Sequence, residues 1–122
     1  MQKYYKVTNQ SRCSARASLW PEKFYFSVKY EIGKFAYPTQ RNSKLFVFDN
    51  LEAARSFANY SEKIFECEVI NPVKAKYISG FFTNVERFWD LKSKKKSLKR
   101  VAEQAIEGTI FCDAVKLTRE II

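Results

Sequence analysis

The sequence contains no histidine. That absence removes the commonest general base near neutral pH, both Ser-His-Asp and Cys-His activation of a nucleophile, and the most frequent metal ligand. Cysteine is scarce as well: Cys13, Cys67 and Cys112 are far apart, odd in number and form no Cys-x-x-Cys pair. Such a set supports neither a zinc site nor a disulfide framework, and reduced thiols are expected. Glycine and proline number three each, too few for a linker-rich or low-complexity chain. No apolar run approaches the ~20 residues of a membrane helix, and Tyr4, Tyr5 and Val7 are flanked by charges rather than set in a signal-peptide core. A cytoplasmic protein without metal, cofactor or membrane partner is expected.

What remains is apolar and basic. The 122 residues are 46% hydrophobic and 16% aromatic, enough for one core, so a single ligand-binding domain spanning 1–122 is expected. Lys and Arg total 22 against 13 acids, a net charge of +9, which attracts anions without naming one.

Apolar periodicity organises the chain. Tyr4 to Thr8 predicts an opening strand, and Phe24, Phe26, Val28 and Tyr30 alternate with polar neighbours as a half-buried strand requires. Gly33 and Pro38 punctuate a connection to Ser43, and Lys44 to Phe48 predicts a second strand. Asp49 or Asn50 can cap a helix of about ten residues, with Leu51, Ala54, Phe57 and Ala58 inward. Ile64 to Ile70 predicts a strand with Glu66 and Glu68 toward water, ended by Pro72, and Lys74 to Phe82 a further one, bent at Gly80. Leu98, Val101, Ala102, Ala105 and Ile106 recur at helical spacing, so a helix from a Ser97 cap to Gly108 is expected. Thr109 to Leu117 then closes the chain as a strand. The fold class implied is α+β, a mainly antiparallel sheet decorated by two helices and able to curl into a small Greek-key-like barrel.

Two adjoining segments carry the candidate chemistry. Lys92, Lys94, Lys95, Lys96, Lys99 and Arg100 place six cations in nine residues at the start of the expected last helix. Cations there add to the positive helix end, a place for phosphate, and the spacing of Lys96 and Arg100 puts both on one face. The plainer reading is a solvated basic face. Just before it, Phe81 to Trp89 mixes rings with Asn84 and Arg87, the groups that stack a purine, pair a base edge and fork onto phosphate. Phe81 and Phe88 are assigned to the core, Phe82 and Trp89 to ligand. Trp20, beside Pro21, is a further ring outside the core, and Arg41 lies in a polar loop suited to a pocket lining. The candidate ligand-binding set is therefore Trp20, Arg41, Phe82, Asn84, Arg87, Trp89, Lys96 and Arg100, with no catalytic residue. Glu66-Cys67-Glu68 has the Glu-x-Glu spacing of ADP-ribosyltransferases, although two outward acids on an alternating strand look the same.

Over nearly its whole length the chain resembles the small phage anti-Thoeris sponge proteins. The resemblance is carried by the length, by Tyr4-Tyr5-Lys6-Val7-Thr8, by Phe46-Val47-Phe48-Asp49-Asn50-Leu51-Glu52-Ala53-Ala54 leading to Phe65-Glu66-Cys67-Glu68-Val69, and by the aromatic and basic segment beyond. It implies a non-enzymatic binder in the bacterial host cytoplasm. Such a protein sequesters the cyclic ADP-ribose isomers made by TIR-domain immune enzymes, as a homodimer or larger homo-oligomer with pockets near subunit contacts. Two other readings stand beside it: a small ADP-ribosyltransferase-like enzyme using Glu68, which lacks a Ser-Thr-Ser strand segment, and a basic nucleic-acid binder.

Overall fold

A computed structural model describes residues 2–14, 28–39, 43–79 and 102–121. In chain order they form β1 (Tyr4–Thr8), β2 (Phe35–Ala36), β3 (Leu45–Phe48), α1 (Leu51–Phe57) and β4 (Lys63–Ile70), then β5 (Val73–Lys74), β6 (Tyr77–Ser79), β7 (Ala102–Gln104), β8 (Thr109–Cys112) and β9 (Ala114–Ile121). Seven strands make one sheet in the order β2-β9-β4-β1-β3-β8-β5, and β6 pairs with β7 apart from it. Every pairing is antiparallel. The architecture is α+β and dominated by sheet.

Chain connectivity bends this sheet. Only Asp113 separates β8 from β9, yet four strand spacings divide them in the sheet order. A flat sheet would hold them about 19 Å apart, whereas two residues of chain reach at most about 7 Å. The same holds for β4 and β5, joined only through Asn71 and Pro72 but also four spacings apart. Both joints require strong curling toward a common corner. At that corner Asp113 donates its backbone N–H to the Ile70 carbonyl at 2.9 Å. Its carboxylate accepts hydrogen bonds from Lys44 and, at 2.8 Å, from Asn71. Among the described residues the sheet is nonetheless not closed into a barrel: β2 and β5 are its edges.

Each face of the curled sheet is covered differently. The inner face gathers Leu45, Val47, Phe65, Cys67, Ile110, Cys112, Val115 and Leu117, with Val28 and Tyr30 lying in the same cluster. Residues 12–14 and 28–30 hold each other antiparallel, through Tyr30 N–H to the Arg12 carbonyl at 2.8 Å and Ser14 N–H to the Val28 carbonyl at 2.9 Å. On the other face α1 packs Ala53 and Ala54 against Val7 and Phe48, with Phe57 closing the edge through ring contact with Phe48 at 5.3 Å. Asn50 starts the helix, its side chain accepting from the Ala53 N–H at 2.7 Å.

Several expectations hold: β1 over Tyr4–Thr8, β3 within Lys44 to Phe48, the Asn50 cap, and β4 ending ahead of Pro72. Others need correction. Ala102–Gln104 is a strand, not part of a second helix, because Tyr77, Ile78 and Ser79 supply it with hydrogen-bonding partners distant in sequence. Among the described residues α1 is therefore the one helix, and it spans seven residues rather than about ten. Gly108 caps no helix. With φ +95 it turns the chain between β7 and β8, and a Cβ there would meet the Asn50 side-chain nitrogen at 2.7 Å. The span expected as one strand from Lys74 divides between β5 in the main sheet and β6 outside it, and the span from Thr109 breaks at Asp113.

Candidate functional site

Charge is unevenly distributed between the sheet and the segment that β6 and β7 bracket. The described residues carry 12 cations and 10 acids, an excess of two. Residues 80–101 carry seven cations against two acids, and so supply five of the net nine charges. Ser79 stands opposite Ala102 in the β6–β7 pair, with Ile78 opposite Glu103 and Tyr77 opposite Gln104. The pair is anchored onward by Ala105 N–H to the Lys76 carbonyl at 2.9 Å. The two residues that flank this segment in the sequence, Ser79 and Ala102, thus stand side by side. Of the expected ligand residues, Phe82, Asn84, Arg87, Trp89, Lys96 and Arg100 belong to this segment and lie outside the described residues. Trp20 and Arg41 lie outside them too.

The Glu-x-Glu pair is described. Glu66 and Glu68 point away from the inner cluster that holds Phe65 and Cys67, and both are engaged by cations. Arg119 donates to Glu66 at 2.8 Å, Lys3 approaches it at 3.4 Å, and Lys116 pairs with Glu68 at 2.7 Å. Partial desolvation pushes the Glu66 carboxyl up, but the Arg119 and Lys3 contacts outweigh it and hold the group below the usual carboxylate range. The geometry is that of cross-strand ion pairs on a sheet surface.

The inner face holds a polar cluster that the alternation of β1 conceals. Lys6 stands opposite Phe65 and is only 7% exposed, between neighbours Tyr5 and Val7 that face α1. Its ammonium donates to the Phe46 carbonyl at 2.7 Å and sits 5.3 Å from the centre of the Tyr30 ring. Burial pushes Lys6 down to about 8, while the Cys112 and Cys67 thiols act in the opposite sense. Burial likewise pushes Cys67 up to about 12 and Cys112 up to about 11, so both are thiols at neutral pH. All three cysteines are free. Tyr30 is fully buried and its hydroxyl has no hydrogen-bond partner among the described residues. The nearby Ser14 hydroxyl is engaged with Val28, whose N–H it accepts at 2.8 Å. Burial pushes the Tyr30 phenol far up, only partly offset by Ser14.

The class defined by these features is a sheet-dominated α+β domain, strongly curled, whose sequence carries a basic aromatic segment between β6 and β7. No family model, curated protein or solved structure matches the chain. Among the described residues no helix is long and apolar enough to cross a membrane.

Proposed function

We propose that the protein is a non-enzymatic sponge that binds cyclic ADP-ribose isomers and withholds them from an immune effector. The observation that supports this most is the concentration of cations and aromatic rings between β6 and β7, set against a nearly neutral sheet. A cyclic ADP-ribose presents an adenine for Phe82 and Trp89, two phosphates for Arg41, Arg87, Lys96 and Arg100, and riboses within reach of Asn84. Trp20 supplies a further ring. Charge-assisted contacts of this kind hold a phosphate tightly only when water is excluded, so a pocket completed by a second copy in a homo-oligomer belongs to the reading.

The test is calorimetric titration with cyclic ADP-ribose isomers, NAD and a short oligonucleotide, followed by heat denaturation and mass spectrometry of the released ligand. Saturable binding of a cyclic isomer, recovered unchanged, supports the sponge. Consumption of NAD that Glu68→Gln abolishes would establish the transferase reading instead, and salt-sensitive binding of the oligonucleotide alone would establish a nucleic-acid binder.

A further inference from the structure

The Lys6 cluster on the inner face of the curled sheet has no part in that reading. Its hydrogen-bonding inventory has more donors than strong acceptors. An ammonium carries three donors and no acceptor, and Lys6 uses one donor, toward the Phe46 carbonyl. Tyr30 adds an unpartnered hydroxyl in the same buried cluster, and the Cys67 and Cys112 thiols add weak donors, of which Cys112 reaches the Leu45 carbonyl at 3.7 Å. No carboxylate of the described residues pairs with Lys6: β4 presents Phe65 and Cys67, β3 Leu45 and Val47, β8 Ile110 and Cys112, and the 28–30 segment Val28 and Tyr30. A buried cation with no carboxylate beside it among the described residues is costly. Water relieves the imbalance poorly, since each water that accepts two hydrogen bonds has two of its own to place. An anion only accepts.

We propose that Lys6 and Tyr30 form an internal binding site for one small monovalent anion of halide type, held between the Lys6 ammonium and the Tyr30 hydroxyl. The anion accepts from both groups and sets a negative charge beside an ammonium that no described carboxylate pairs. The site is independent of the nucleotide reading and survives its failure. Its occupancy falls as pH rises and the ammonium loses its proton.

Sodium bromide is the probe. Crystals of the full chain grown in bromide are expected to show anomalous scattering within hydrogen-bonding distance of both Lys6 Nζ and Tyr30 Oη. In solution, replacing chloride by gluconate at constant ionic strength is expected to lower the melting temperature of the wild type by about 3–5 °C. Lys6→Met is expected to show no such response, and Tyr30→Phe, which removes only the hydroxyl, a reduced one. Interior density without an anomalous signal would identify water and overturn the proposal. So would equal halide responses in wild type and Tyr30→Phe, a comparison that stands even should Lys6→Met fail to fold.

Discussion

Replacing Lys6 by Met keeps the length and apolar stem of the side chain and removes its charge, so it isolates the cost of burying an ammonium in the sheet. The unfolded chain holds the Lys6 proton up to the ordinary value of 10.5, whereas the folded protein releases it above about 8. Between those values the unfolded state binds more protons, and stability rises with pH. Below pH 8 the full penalty applies, about 3 kcal/mol for a shift of this size, less about 1 kcal/mol for the hydrogen bond to Phe46 that Met cannot make. In gluconate buffer, free of halide, Lys6→Met is therefore expected to be about 2 kcal/mol more stable than wild type at pH 7. That advantage shrinks by about 1 kcal/mol between pH 7 and pH 9 as the wild type sheds its proton. Cys67 and Cys112, held as thiols up to about 12 and about 11, act in the opposite direction above their ordinary value of 9. Their contribution is common to both proteins and cancels in the difference. Urea denaturation at pH 7, 8 and 9 measures it, and parallel stability curves for the two proteins would refute the reasoning.

Gly108→Ala is expected to destabilise by about 2 kcal/mol in chemical denaturation, from positive-φ strain and a Cβ pressed against the start of α1. Asp113→Ala removes the acceptor shared by Lys44 and Asn71 at the corner, and a loss of about 1 kcal/mol is expected for this partly exposed group. The Lys44 hydrogen bond first, and then that of Asn71, hold Asp113 below the usual carboxylate range. The stability it confers is present above the ordinary carboxylate pKa and lost as pH falls through the depressed one, so a melting series into acid should show wild type and Asp113→Ala converging. Paired substitution of Lys96 and Arg100 by Ala is expected to weaken binding of a cyclic ADP-ribose at least tenfold while leaving the melting temperature within about 2 °C, read by calorimetry and thermal denaturation.

Local signals made part of this fold legible. Short runs of strand formers placed β1 and β3, alternation placed β4, and an Asx side chain three residues ahead of Ala53 placed the start of α1, because each depends on neighbours along the chain. Ala102–Gln104 was illegible for the converse reason: its apolar spacing suits a helix, and what makes it a strand is Tyr77–Ser79. The break at Asp113 follows from where β4 ends, which no local pattern around residue 113 carries. Lys6 escaped notice because β1 is covered on both faces, so alternation of Tyr5 and Val7 with polar residues does not identify a wet side. The expected ligand residues cluster in composition, and their bracketing by one strand pair became visible only from the pairing of Ser79 with Ala102.

The position of β1 bears on how the molecule is made. This strand occupies the middle of the sheet, yet its partners β3 and β4 emerge from the ribosome after it, and β4 in turn waits for β9, which reaches Ile121. A nascent chain therefore carries its central strand bare until residues 45–70 have been made, and β4 waits about fifty residues more for its second partner, β9. Truncated translation products should accordingly be aggregation-prone, and yield in a cell should track chaperone supply more closely than the stability of the finished fold suggests.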